Sequence, residues 1–281
     1  MASEHTREKG DVLIRVEGLT KTYAQKLVFS RHPFLIYALQ SVDLTIPRRS
    51  RFGLVGESGS GKSTLALCIA LLETCTGGKM WFDGRAVDEF MESDLSDFRR
   101  RVQIVLQDTA GGLNPRMSAQ EIIAEPMQIH RIGTTREIRK RTGELMGDVG
   151  LPAAWLDRRP RQLSGGERQR LAIARALALS PDFLILDEAL AGLDLLAQAH
   201  IVTLLKRLQE QRGLTYLFIS HDLRFMLEVA TEIAILDAGK IVEQGHPKDL
   251  ITNARHARTR ALFEAIPGRT LKLHSAAGAT P

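Results

Sequence analysis

Apolar positions along this chain follow three rhythms. From Val12 to Tyr23 the residues VLIRVEGLTKTY alternate between apolar and polar, as do Ala38 to Ile46 (ALQSVDLTI) before Pro47, and both stretches predict strands of a β arm. Between them AQKLVFSRHPFLIY keeps no period and carries Pro33, so 24–37 reads as an extended loop. Short continuous apolar runs form the second rhythm: Phe52 to Val55, Arg101 to Leu106 (RVQIVL), Phe183 to Leu186, and Leu214 to Ser220 (LTYLFIS). Runs of that length predict strands covered on both faces, as in a parallel sheet. EIAILDAGKIVEQG adds two strands around Asp237-Ala238-Gly239, and GGKMWFDGRAVDEF predicts a hairpin that turns at Asp83-Gly84 and extends the arm.

The third rhythm is helical. It covers Leu65 to Leu72 directly behind a strand, Ala119 to Val149 with many exposed charges, the stretch behind Ser164, and Leu195 to Gln211. Strands alternating with helices predict an α/β fold. The turn-rich DTAGGLNPRMS and the helical pattern behind it suggest a helical subdomain at about 108–165, inserted into a main domain spanning 12–250. Residues 251–267 form a carboxyl-terminal extension, and the polar tails 1–11 and 268–281 are expected to be disordered.

Chemistry concentrates at the stretch RFGLVGESGSGKSTLALCIALLE, residues 51–73. Gly56, Gly61, Lys62 and Ser63 stand at the GxxxxGK[ST] spacing between an apolar strand and an apolar helix, the context that spacing requires. Glycines there let successive N–H groups of Gly56, Glu57, Ser58, Gly59, Ser60 and Gly61 point at a phosphate chain, while Lys62 reaches its outer phosphates. Ser63 can offer a hydroxyl to Mg²⁺, and the helix beginning with Ser63 and Thr64 adds the partial positive charge of its N-terminus. The competing reading is a flexible Gly/Ser turn between two core elements.

The run DFLILDE ends a buried strand on Asp187 and Glu188. Acids at that edge of an open α/β sheet lie near the phosphate loop, so Asp187 can hold Mg²⁺ and Glu188 can orient or deprotonate an attacking water. His221 ends another strand of the same sheet and is expected on the same edge. Gln107 follows the strand RVQIVL in the same way. In LSGGERQR, Ser164 and Glu167 have capping-box spacing, whereas Gly165 and Gly166 also allow a phosphate or another backbone to approach closely. Tyr23 can stack on an adenine or simply pack at a strand end, and spacing leaves both open.

Composition narrows the classes. With 44% hydrophobic and 25% charged residues in 281, the chain can bury a large core. Its longest apolar run, Leu65 to Leu72, falls far short of the roughly 20 residues that span a bilayer. The opening MASEHTREKGD has no apolar segment, so no secretory signal is expected and the protein is placed in the cytosol unless partners hold it to a membrane. Cys68 and Cys75 are the only cysteines, which excludes a disulfide framework or a four-thiolate site; Cys68 is expected on the buried face of its helix. The net charge is +5, with clusters at Arg48, Arg49 and Arg51, at Arg99 to Arg101, and at Arg136, Arg139, Lys140 and Arg141. Without interleaved aromatics these read as solvated or subunit-facing arginines, and no nucleic-acid partner is expected.

Taken in order, Gly56 to Thr64, Gln107, LSGGERQR at 163–170, FLILDE at 183–188, AGLD at 191–194 and His221 resemble the ATP-binding cassette (ABC) ATPases over about residues 12–267. The resemblance implies a P-loop NTPase (RecA-like) core with an antiparallel β arm and an inserted helical subdomain, and ATP and Mg²⁺ as cofactors. It implies that Tyr23 stacks on adenine, Lys62 holds phosphate, Ser63, Gln107 and Asp187 surround Mg²⁺, Glu188 is the catalytic carboxylate and His221 senses the γ-phosphate. Ser164, Gly165, Gly166 and Glu167 would close over the ATP of a facing cassette, and Asp194 would cross that interface.

QDTAGGLNPRMS at 107–118 is similar to the QDPxxSLNPRxT stretch of peptide and nickel importer ATPases, and HARTRALFEAIP at 256–267 to their HPYTxALLxAxP. The chain departs from these patterns with AGLD for SALD, Thr109 for proline, and Ala257-Arg258 for Pro-Tyr. The implied role is the ATPase subunit of an importer for a small solute of the peptide or nickel class, at the cytoplasmic face of the membrane. Its implied partners are a second, dissimilar cassette, two transmembrane permease subunits and an extracytoplasmic solute-binding protein. The alternative is an ABC ATPase acting on ribosomes or DNA, against which stand the single phosphate loop and the absence of sustained heptads.

Overall fold

The alternating run at the start of the chain pairs into an antiparallel sheet. In the computed structural model, which describes residues 12–25, 34–106, 112–190 and 193–266, β1 (Val12–Gln25) lies between β2 (Phe34–Pro47) and β4 (Gly77–Phe82). β4 turns at Asp83 (φ 55°) and Gly84 (φ 79°) into β5 (Arg85–Ala86), a two-residue turn with both residues in the left-handed region. The loop expected over 24–37 is corrected at both ends: Ala24 pairs with Leu35 and Gln25 with Phe34, while 26–33 lie outside the described residues. Phe34 to Tyr37 are exposed on both faces, so no core imposed a period of two that the sequence could display.

The apolar runs form a second sheet in the order β10-β9-β3-β8-β7-β6. β3 (Arg51–Val55), β6 (Val102–Val105), β7 (Phe183–Asp187), β8 (Thr215–Ser220) and β9 (Glu232–Asp237) run parallel, and β10 (Lys240–Gly245) closes one edge antiparallel. Successive residues of β7 serve opposite faces. Phe183 and Ile185 pack with the β arm and with Leu65 and Cys68 of α1 (Lys62–Ile69), and Leu184 and Leu186 pack with helices on the other side. Both faces are therefore covered, which accounts for the unbroken apolar runs. Cys68 is buried on α1 as expected, although that helix ends at Ile69 and Leu71 turns back with φ 55°.

One helix has no counterpart in the hydrophobic pattern. α2 (Glu92–Arg101) reads ESDLSDFRRR and buries a single residue, Phe98, whose ring meets Phe82 edge-on at 5.0 Å. It carries the cluster Arg99 to Arg101, of which Arg99 and Arg100 are exposed, in line with solvated arginines, while Arg101 departs from that reading. Arg101 donates to Asp182 and Asp83, both at 2.6 Å, and lies over the Phe82 ring at 4.6 Å, so it ties the β arm to the parallel sheet. Arg48 also pairs with Asp83, and Arg51 bonds Gln209 and the Val229 carbonyl; these two are internal ties as well. Arg101→Ala is expected to lower stability by about 1–3 kcal/mol, since packing and the ion pairs to Asp83, Asp97 and Asp182 go together. The bond from Arg101, with help from Arg48, holds the Asp83 carboxyl below its usual range. That contribution is present above the unfolded pKa and fades as pH falls through the folded one, so in urea melts the gap between R101A and parent should narrow on acidification.

The helical stretch expected from 119 to 149 is two helices, α3 (Ala119–Ile129) and α4 (Thr135–Asp148). Arg131 (φ 53°) and Gly133 (φ 78°) break it, and Ser118/Glu121 and Thr134/Glu137 each form a capping box. α5 (Gly165–Leu177), α6 (Leu195–Arg212) and α7 (Leu223–Val229) cover the second face of the sheet, and α8 (Pro247–Asn253) and α9 (Ala257–Glu264) follow β10.

Candidate functional site

Strand register brings one group of the predicted residues to a common edge. Val55 pairs with Ser220 and Asp187 with Ile219, so β3, β7 and β8 end side by side and deliver the phosphate loop, Asp187-Glu188 and His221 together. The loop is moulded against its neighbours. A Cβ on Gly56 would stand 2.2 Å from the Leu236 carbonyl oxygen, and one on Gly61 (φ 106°) would stand 2.4 Å from that of Ala38. Gly239 in the turn after β9 donates to the Ser60 carbonyl at 2.9 Å, bracing the loop from the side.

Lys62 is 5% exposed and its ammonium donates to the carbonyls of Gly56 at 2.9 Å and Glu57 at 2.8 Å. Burial pushes this ammonium below its usual range, against the opposing pull of Glu188 and Asp187. Two buried oxygens nearby have no hydrogen-bond partner: the Ser60 hydroxyl and Oδ1 of Asp187. Burial pushes the Asp187 carboxyl up, and a hydrogen bond with Ser63 acts the other way. A buried carboxylate oxygen left over beside a serine hydroxyl is a donor set that suits a hard cation such as Mg²⁺.

Glu188 stands at φ 44°, a left-handed conformation rare outside glycine, pinned by its N–H to the Ile219 carbonyl at 2.9 Å. Its carboxylate, 16% exposed, faces Nδ1 of His221 at 3.3 Å. Both line a cavity of about 170 Å³ with Gln198, Ser220 and Asp222. Gln198 also donates to the Leu190 carbonyl, which steadies the segment behind Glu188. Neither the strain at Glu188 nor the place of Gln198 can be read from spacing, because both depend on how the chain leaves β7.

Ser164, Gly165, Gly166 and Glu167 are elsewhere. They line a shallow depression with Asp194, Ala197 and His200, and no phosphate-loop residue borders it. The capping box is made, with Glu167 N–H donating to the Ser164 hydroxyl at 3.3 Å and Ser164 N–H to Glu167 at 2.7 Å. Asp194 caps α6 by accepting from the Ala197 N–H at 2.8 Å. Ser164, Gly165 and Asp194 are exposed. Tyr23 is half-buried, with the Lys21 ammonium over its ring at 4.7 Å. Ser58, Gly59 and Ser63 are exposed and Thr64 half-buried, while Gln107, Ala191 and Gly192 lie outside the described residues.

A sequence profile described as ABC transporter matches residues 39–191. This chain belongs to the ABC transporter family. It is an ABC ATPase, a cassette that binds and hydrolyses ATP. Oligopeptide transport ATP-binding protein OppF of Bacillus subtilis strain 168 is 41% identical over 234 residues, 83% of this chain and 77% of that one. A protein of Brucella abortus strain 2308 named as a peptide import ATP-binding protein is 45% identical over 234 residues, 83% of this cassette and 70% of its relative. Among solved structures, the dimeric post-hydrolysis state of the ATP-binding cassette MJ0796 bound to ADP and Pi superimposes with a TM-score of 0.74 at 31% identity, over 84% of this cassette and 99% of that chain.

Proposed function

We propose that this ABC ATPase powers uptake of short peptides through separate permease subunits at the cytoplasmic face of the membrane. The observation that carries the reading is an apolar groove of about 570 Å³ between the end of β6, α3 and α5. Leu72, Leu106 and Ile129 border it and are 59%, 45% and 69% exposed. An apolar patch of this kind on a chain without a bilayer-crossing helix among its described residues suits a docking segment from a membrane subunit. The names of its relatives, OppF and the Brucella peptide import protein, support peptides as the cargo class.

In this reading Lys62 and the loop N–H groups of Gly56 to Gly61 bind the outer phosphates, and Tyr23 offers its ring to adenine. Ser63 and Asp187 would hold Mg²⁺, with Gln107 as the third member of the set. Bound there, the ion would supply positive charge to offset that of the transferred phosphoryl group. Glu188 accepts a proton from the attacking water, and His221, hydrogen-bonded to it, keeps that carboxylate aimed. The exposed Ser164 to Glu167 depression lies apart from the chain's own loop, so it serves the nucleotide of a facing cassette, as does Asp194. The dimeric state of the relative MJ0796 supports such an arrangement, and the peptide/nickel-type stretches support a dissimilar partner.

The test is reconstitution in liposomes with the permease and ATPase subunits encoded beside it and a solute-binding protein, reading peptide-stimulated hydrolysis. Stimulation of severalfold or more by peptide is the expected result. Co-sedimentation with ribosomes and no response to permeases would overturn the transport reading. Full stimulation with this subunit as the sole ATPase would remove only the dissimilar partner.

A further inference from the structure

The carboxyl-terminal extension reaches back to the phosphate loop. Its helix α9 is held in place by the buried Phe263, and the Glu243 carboxylate accepts from the N–H groups of Arg255 at 2.9 Å and His256 at 3.1 Å. The Nδ1 of His256 caps the helix by accepting from the N–H of Arg258 at 3.2 Å. From this fixed first turn the Arg258 guanidinium donates to the Glu57 carboxylate and meets Oδ1 of Asp237 at 3.3 Å. Asp237 ends β9, and Gly239 two residues on braces the loop through the Ser60 carbonyl. One side chain thus joins the extension, the loop and the turn that supports the loop.

Glu57 is the unfavourable member of the loop. Its main-chain N–H belongs to the segment read as wrapping a polyphosphate, while its own carboxylate adds a negative charge to that same loop. Without a counter-charge the two repel, and the penalty grows where the bound nucleotide displaces water. Arg258 stands where the similar importer stretch has tyrosine, so this counter-charge cannot be read from that stretch.

We propose that Arg258 is a positioning residue for ATP binding, which neutralises Glu57 and holds it turned away from the phosphates so that the loop accepts a polyanion. The role lies in nucleotide affinity, not in the chemical step, and it makes the extension part of the nucleotide site. It rests on ATP hydrolysis alone and is independent of the transported solute.

The test is a double-mutant cycle on the full chain, reading Kd for a fluorescent ATP analogue with Mg²⁺, and KM and kcat for ATP, alongside thermal melts. R258A should weaken nucleotide binding and raise KM roughly three- to tenfold with kcat within about twofold, an effect that shrinks in high salt. R258K should recover most of the affinity, because neutralisation needs charge more than a planar fork. In an E57Q background R258A should cost little further, since the loop's own carboxylate is gone and only Asp237, outside the loop, still faces Arg258. Unchanged affinity in R258A would overturn the proposal. So would an undiminished loss in the E57Q background, which would mark Arg258 as a packing residue of α9.

Discussion

Lys62→Ala is expected to reduce ATP hydrolysis at least a hundredfold, making the remaining activity hard to separate from background. The ammonium is bonded to the main chain of the loop, at the carbonyls of Gly56 and Glu57. In that position it can transfer to phosphate oxygens as they arrive and offset charge that grows on them in the transition state, an electrostatic contribution of about 3–4 kcal/mol where single donors have been removed from other sites. The cost to the fold is small but not zero. Lys62 is buried, so the substitution leaves two carbonyls without their donor, worth about 1–2 kcal/mol, while relieving the burial that disfavours the ammonium. A melt within a few degrees of the parent together with lost turnover is the expected pair of readings. Turnover equal to the parent would remove Lys62 from the mechanism.

Glu188→Gln should keep nucleotide binding and lose turnover by about a hundred- to ten-thousandfold, the usual range for removal of a general base. The amide fills the same space beside His221 yet cannot accept a proton from water. A second consequence follows from the neighbouring acid. The charge of Glu188 is one of the influences that push the Asp187 carboxyl up, so removing it favours ionised Asp187 and with it a bound cation. The variant should therefore bind nucleotide with Mg²⁺ at least as tightly as the parent and accumulate it unhydrolysed. Single-turnover measurement with labelled ATP separates binding from chemistry. A variant that hydrolyses at the parent rate would move the proton-accepting role to His221.

The sequence by itself determined the strand–loop–helix of the phosphate loop, the acid-ended strand and the parallel core. These are local or nearest-neighbour properties: glycines where the backbone must crowd Leu236 and Ala38, and apolar runs where a strand is covered on both faces. The capping boxes at Ser118, Thr134 and Ser164 are local in the same sense, each set by a Ser or Thr with Glu three residues on.

Only the tertiary structure decided what depends on distant segments. α2 escaped the hydrophobic pattern because a single phenylalanine anchors it and the rest of its hold is ionic. The paired outer ends of β1 and β2 escaped because lateral pairing leaves no periodic trace when both faces are exposed. Whether an arginine is solvated or structural depends on which carboxylate meets it, and Arg101 and Asp182 are brought together by the sheet. The same holds for Arg258 and Glu57, separated by 201 positions: charge has no period, and its partners are chosen by the fold.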